Sequence, residues 1–496
     1  MRSLPKMGIA KEQKMHALAA LGAGLVFICA EFPARPATAA ELAVPPVPRT
    51  AVVSAVNTVE GALVQAYQNN PQLNAQRASL RATDENVPQA LSGYRPRVSA
   101  TIQVGEQYTD LTTRAFSNGN PVYNQQSGTM TPQTYSLNSS YTAFNGFQTG
   151  NRTRQAESQV FAARETLRVT VQTVMLDAVT AYMNLLRDSA ILDLQRRNVE
   201  VLQEQLRQTR DRFNVGEVTR TDVAQSESRL AAGRSSMLTA ESNYTTSRAV
   251  YRRVIGVDAG RLSPGTPVDR FSPRILSEAI AFGEQENPSV RAAMYGVDIA
   301  TLQVKIAEGV LYPTVTLTAS ATESRETSLN ALRTFQATAQ TQVTIPIYQG
   351  GAEYSQIRQS KETVGQRRLD LAGNRDQARQ NVVQAWGQLE AGKAQIQATQ
   401  AQVAAAEIAL NGVREEARVG QRTTLDVLNA QQELVNARVS LVTAQRDRVV
   451  ASYALLSAVG RLSPATLRLP VSIYDPMVHY QQIRDAWAGV RTPDGR

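Results

Sequence analysis

The sequence predicts a mainly α-helical chain with a small membrane β part, built as a duplicated helix–strand–strand–long helix–helix unit. Three observations predict it. The 496 residues align with themselves at a nearly constant offset. Each copy holds a very long stretch with a sustained heptad-like apolar spacing. Each copy also switches to a two-residue period just after a proline turn.

Composition narrows the function classes. Hydrophobic residues are 42%, charged residues 19%, and the net charge is +9. The basic residues are dispersed, without a run of five or six, which argues against nucleic acid as a partner. Cys29 is the one cysteine, and the two histidines are His16 and His479. A disulfide framework, a thiolate zinc site and a cysteine nucleophile are therefore excluded once the leader is removed. No constellation of base, nucleophile or metal ligands appears, so neither an enzyme nor a cofactor is expected.

Residues 1–39 have the make-up of a signal peptide. Arg2, Lys6, Lys11 and Lys14 precede an apolar run from Ala17 to Ala30, and Ala37-Thr38-Ala39 is a small-x-small cleavage pattern. The run is too short to span a bilayer, which needs about 20 residues. Residues 40–56 are a linker. No later stretch of 18 apolar residues exists.

The duplication fixes the domains. At an offset of 217, Asn70-Pro71 falls on Asn287-Pro288, Pro96 on Pro313 and Val98 on Val315. Further on the offset is 204: Gly146 falls on Gly350, Tyr182 on Trp386, Gly216 on Gly420 and Gly256 on Gly460. The first copy thus holds 13 extra residues between about Val104 and Phe144. The repeats cover 57–260 and 278–463, with a Gly/Pro-rich linker at 261–277 and a tail at 464–496.

Each repeat opens with a helix, over about 58–91 and 276–309, stopped by Tyr94-Arg95-Pro96 and Leu311-Tyr312-Pro313. Pro71, Pro88 and Pro288 predict kinks or late starts within them. Strands follow over about 97–108, 134–145, 314–323 and 335–347. Val98, Ala100, Ile102 and Val104 alternate with polar residues, as do Val315, Leu317, Ala319 and Ala321. The opposite faces are polar but uncharged. A membrane barrel needs this pattern, and a soluble half-buried sheet has it too. The segment 109–134, with Gly119, Pro121, Gly128 and Pro132, is expected to be a surface loop. From Arg152 to Val215 there is no Gly or Pro in 64 residues, enough for roughly 95 Å of helix. A second heptad-spaced helix follows each turn.

Four strands cannot close a barrel in one chain, since even small membrane barrels use eight. Subunits must pool strands. With the long helices, this points to a ring whose strands form a barrel and whose helices form a tube. A periplasmic coiled-coil adaptor or scaffold is the alternative, but it would not require four such strands.

At this point the sequence resembles the TolC family of outer-membrane efflux proteins, over about 57–463. The resemblance rests on the paired Asn-Pro, the paired proline turns, and the strings FNVGEVTRTDV (Phe213–Val223) and ARVGQRTTLDVLNAQQEL (Ala417–Leu434). It implies a homotrimer with a 12-stranded β-barrel in outer-membrane lipid and a 12-helix tunnel in the periplasm. It implies a passive exit duct of a tripartite efflux pump or a type I protein secretion system. The implied partners are a periplasmic adaptor and an inner-membrane pump of RND or ABC type.

The resemblance also implies a gate at the turns. By position, Thr221 and Asp222 would face Arg422, and Asp426 would point into the pore as a carboxylate ring. Gly216 and Gly420 would supply φ > 0 at the helix tips, where an adaptor docks. An aromatic near Ala417 and a second pore acid near Asn429 are missing here. The residues themselves leave another role open for Asp222 and Asp426, as N-caps of the helices they begin. Tyr108, Tyr135 and Tyr141 are candidates for an interfacial aromatic belt. Trp386 and Tyr182 are expected to pack, and His479 alone makes no metal site.

Overall fold

The computed structural model describes residues 57–329, 331–493 and 495. The signal peptide and the linker at 40–56 lie outside the described residues. In the first repeat the elements are α1 (Val59–Asn69), α2 (Pro71–Asp84), α3 (Asn86–Leu91), β1 (Arg97–Val104), β2 (Gln107–Ser117), β3 (Asn120–Met130), β4 (Gln133–Asn145), α4 (Gln148–Asn214) and α5 (Arg220–Ile255). In the second they are α6 (Leu276–Glu286), α7 (Pro288–Gly309), β5 (Thr314–Ser328), β6 (Ala331–Thr344), α8 (Ala352–Arg418) and α9 (Thr424–Ala458). The tail adds α10 (Pro476–Ile483).

The opening helices are broken where the sequence has Asn-Pro, rather than running through as single elements. Asn70 and Asn287 both leave the helical region, at ψ 123°. Each ends one helix and caps the next, with proline at the first helical position, where its missing N–H costs nothing. The Asn70 Oδ1 accepts from the amides of Gln72 and Leu73, at 2.9 and 3.3 Å. Its Nδ2 donates across the molecule to the carbonyl of Val254, 3.1 Å away at the end of α5. In the second copy Asn287 Oδ1 accepts from Ser289, and its Nδ2 donates to the carbonyl of Ala458 at 3.0 Å. One asparagine thus serves both a helix start and a distant helix end, in each repeat. Gly460 passes so close, at φ +90°, that a Cβ there would lie 2.8 Å from Asn287 Cα.

The sheet has the order β1–β4–β5–β6, all antiparallel. Its register brings the apolar alternations of all four strands onto one face. Val98 lies opposite Ser139, Ala100 opposite Leu137 and Ile102 opposite Tyr135. Leu137 in turn faces Ala321, and Ala321 faces Ala337. Ala319 faces Ala339, and Val315 faces Val343. A bulge between Thr142 and Phe144 moves Phe144 onto the same face, opposite Val315. The other face holds Thr, Ser, Asn and Gln, such as Thr101, Ser136, Thr322 and Gln336, with Arg97 at the start of β1, while Glu323, Arg325 and Arg333 stand at the far end of the apolar face. β1 and β6 keep unpaired outer edges.

Residues 107–130 do not form the expected loop. They pair over eleven positions as a separate two-stranded ribbon, β2–β3, turned by Asn118 and Gly119 at positive φ. β-formers such as Tyr108, Leu111, Val122 and Tyr123 outweigh the turn residues, which sit at the tip and at the far end. The extra 13 residues of the first copy therefore lengthen a hairpin. β1 ends at Val104 rather than near 108, and β6 starts earlier than expected, at Ala331.

α4 and α8 have 67 residues each and occupy equivalent positions in the two repeats. At 1.5 Å per residue each runs for about 100 Å. α4 packs along α5 and α8 along α9, while α7 lies against both long helices. The main core gathers where the short helices meet the long ones, around Leu63, Leu73, Met175, Tyr182, Tyr251 and Leu456. The Tyr182 hydroxyl lies 2.6 Å from the carbonyl of Asn57 and 2.7 Å from that of Ser263, tying two loops to α4. α4 is long and apolar enough to cross a membrane, but half of its most apolar stretch is buried against this core. Trp386, its counterpart in the second copy, packs beside Val382 and Leu389.

Asn287→Ala removes a cap and leaves the Ala458 carbonyl unpaired, so we expect a loss of about 2 kcal/mol. Asn287→Ser keeps the capping oxygen and loses less. Gly460→Ala exceeds Gly256→Ala, because the nearest atom to a Cβ at Gly256 is 3.8 Å away. Urea midpoints in mild detergent, read by far-ultraviolet circular dichroism, give this order.

Candidate functional site

The turns joining α4 to α5 and α8 to α9 form the tips farthest from the sheet. Gly216 and Gly420 both take φ +80°. Their N–H groups donate to the carbonyls of Phe213 and Ala417, at 3.0 and 3.2 Å. The next amides, of Glu217 and Gln421, donate to Arg212 and Glu416 at 2.9 Å each. This arrangement closes the last helical turn, and glycine enters the left-handed region without steric cost.

The chain re-enters helix through a capping box in each copy. Thr219 and Thr423 are the N-caps, at ψ 163° and 159°. The amides of Asp222 and Asp426 donate to the threonine hydroxyl oxygens at 3.3 and 3.2 Å. The threonine amides donate back to the carboxylates at 2.9 and 3.0 Å. Asp222 and Asp426 therefore stand at the third helical position and are not themselves the N-caps. The Thr-x-x-Asp spacing in both strings is the signal for this. Hydrogen bonds from the Thr219 hydroxyl and amide hold the Asp222 carboxyl below its ordinary range. For Asp426 the Thr423 amide leads, then the Thr423 hydroxyl, with Arg422 adding a smaller effect.

Arg422 donates from Nε to Glu416, 2.9 Å away on the last turn of α8. Glu416 first, and Asp426 to a lesser degree, push its guanidinium above the ordinary arginine value. Glu416, Arg422 and Asp426 are thus one charged cluster at the second tip. Among the described residues, no hydrogen bond or ion pair within the chain joins Thr221 or Asp222 to Arg422. The repeats are instead linked near the tips by Arg229, whose Nη2 donates to Asn429 Oδ1 at 2.7 Å. Arg229 and Glu416 are functional candidates that sequence reasoning missed. Arg229 and Asn429 are 200 positions apart, and no local pattern joins them. Leu202, Leu206, Leu230 and Leu428 pack beneath, giving the tips a small core of their own.

The other end is a membrane boundary. β1 has eight residues, roughly 26 Å of strand, close to the ~25 Å apolar band of a membrane barrel. Tyr135 and Tyr141 lie on the apolar face, whereas Tyr108 sits on the ribbon. An exposed aromatic marks every junction between helix and sheet: Tyr94, Phe147, Tyr312 and Tyr348. Phe147 takes a left-handed φ of +62°, where the second copy has Gly351. Among the described residues, no group of acidic, histidine or cysteine side chains is placed to hold a metal ion.

Long paired helices, an apolar-faced sheet with open edges and an aromatic border fit an outer-membrane channel. The outer membrane efflux protein family matches residues 62–257 and 283–461, and the chain belongs to that family. It is 42% identical to the outer membrane efflux protein BepC of Brucella suis, over 88% of this chain and 93% of BepC. It is 28% identical to the outer membrane protein TolC of Escherichia coli, over 82% of this chain and 83% of TolC. Its fold matches the CmeC outer membrane channel of Campylobacter jejuni at a TM-score of 0.71 and 16% identity, covering 86% of this chain and 89% of CmeC. The chain is an exit channel of the outer membrane.

Each capping aspartate ionises more readily in the folded tip than in an unfolded chain. Its stabilisation is therefore present above the ordinary value of 3.8 and is lost as pH falls through the lower folded value. The amides of Thr423, Asp426 and Val427 should lose protection below about pH 4, with intrinsic exchange rates corrected. Thr423→Ala should loosen the same amides at neutral pH by roughly five-fold, the effect of about 1 kcal/mol. Hydrogen–deuterium exchange read by mass spectrometry measures both.

Proposed function

We propose that three copies of this chain assemble into a continuous duct with a 12-stranded barrel and a 12-helix tunnel, gated at the helix tips. The open edges of β1 and β6 support this most directly. An edge with an apolar face cannot remain unpaired in lipid, because each bare N–H or C=O there costs several kcal/mol. Pairing β6 of one copy with β1 of the next closes the ring. The lumen face is then the Thr, Ser, Asn and Gln face, wet and, over its paired positions, uncharged except for Arg97 at the start of β1, which suits a passive conduit for chemically diverse cargo.

The duct receives cargo from an inner-membrane pump of RND or ABC type through a periplasmic adaptor that docks at the Gly216 and Gly420 turns. It serves as the exit of a tripartite efflux pump or a type I secretion system, and the likeness to an efflux protein favours efflux. Threefold symmetry brings three Asp426 carboxylates towards the axis. The hydrogen bonds from Thr423 favour the ionised form of each carboxylate and oppose the mutual repulsion of the three, and an ionised ring favours cations. Glu416 of the same chain orients Arg422, which faces Thr221 and Asp222 of a neighbouring helix pair and so holds the gate shut. With Asn429 in place of a second acid, a single carboxylate ring carries selectivity.

Conductance in planar bilayers tests the gate. Asp426→Ala should lower the cation-to-anion permeability ratio while leaving the trimer intact, and Arg422→Ala should raise open probability. Unchanged selectivity in Asp426→Ala would remove Asp426 from the pore.

A further inference from the structure

The tail carries no element of the duplication, yet it is fastened along the first repeat at successive points. The amide of Tyr474 donates to the Tyr67 hydroxyl at 3.1 Å. His479, on α10, is buried, with Nδ1 3.1 Å from Oδ2 of the fully buried Asp84. Tyr480 packs against the small core of Val87, Ala156 and Val160. Arg484 reaches to 3.8 Å from Glu157. The strap ends at Arg95, whose Nη1 donates to the carbonyl of Ala486 at 2.8 Å. The Arg95 guanidinium also lies 4.5 Å from the centre of the Trp487 ring.

Arg95 is two residues from the start of β1, so this clasp sets Trp487 at the level of the junction aromatics. The indole remains 74% exposed although the backbone beside it is held. We propose that the tail is a lipid-interface anchor, with Trp487 seated in the phospholipid headgroup region of the periplasmic leaflet. The inference rests on the barrel reading above and names a contact of that barrel's border.

Two features carry it. The site continues a surface already committed to lipid, since Tyr94 precedes Arg95 and Val98 begins the apolar face of β1. Tryptophan, with an apolar ring and one N–H donor, favours the interface between hydrocarbon and water. Cation–π contact with Arg95 covers one face and leaves the rest free for headgroups. Phe147 supports the same level independently: an aromatic ring kept at positive φ, beside Phe144 and Tyr312, with ring centres 5.2 and 6.5 Å away.

The chain has two tryptophans, which makes the test spectroscopic. Trp386 lies roughly 50 Å along α8 from its membrane-side end, at 1.5 Å per residue, beyond the reach of lipid. The Trp487 signal is the emission lost on going from wild type to Trp487→Phe, a change that retains an aromatic ring. The purified trimer is placed in vesicles of phosphatidylcholine brominated on its acyl chains, and separately titrated with iodide in unbrominated vesicles. Loss of the Trp487 component in brominated lipid, with little loss to iodide, is expected. Quenching by iodide alone would place the ring in water, and quenching by neither would place it against a neighbouring copy; both overturn the anchor and leave the channel standing. Failure of the trimer to insert at all would overturn both.

Discussion

An unclosed sheet governs this molecule. Four strands share one mainly apolar face and one polar face whose one charge at a paired position is Arg97, and two of them have bare edges. Water does not accommodate the apolar face, and lipid does not accommodate the edges. Both demands are met only when copies join edge to edge into a ring. In the proposed ring the helices share its symmetry. The single chain also exposes large apolar side chains such as Ile347 and Leu369.

The second structural device is the Asn-Pro joint. Each repeat must turn from short helices into strands and later bring its last helix back to the same level. Asn70 and Asn287 fix that meeting point with one side chain each: an oxygen for a helix start and an amide for a helix end. The tips use a parallel economy, with a glycine ending one helix and a Thr-x-x-Asp box starting the next. Both devices recur in the two copies with nearly the same distances, so the duplication extends to individual hydrogen bonds.

Much of this was legible in the sequence because the signals are local or periodic. Self-alignment finds the repeat, a proline marks each entry into the sheet, and alternation marks the strands. The long helices follow from an apolar spacing kept over many turns. The ribbon of residues 107–130 was not legible. Its Gly and Pro residues resemble a loop, and only the pairing of Tyr108 with Thr129 and Ala115 with Val122 fixes it as strand. The break at Asn70 was half legible: proline warns of a kink, but the distant carbonyl of Val254 leaves no mark in sequence. At the tips the capping role of Asp222 and Asp426 is local and lies in the Thr-x-x-Asp spacing. The Arg229–Asn429 link is not, because it joins two copies through folding alone. The tail's fastening is hidden for the same reason, since Arg95 and Asp84 lie far from Trp487 and His479 in the chain.

In the proposed assembly one chain is a third of a barrel. This is tested most directly by the mass of the protein extracted from outer membranes in mild detergent, before and after heating. A species of three chains that heat separates into single chains is expected. A monodisperse single chain, stable and soluble without detergent, would contradict it, because the apolar face and open edges of the sheet would then need no partner.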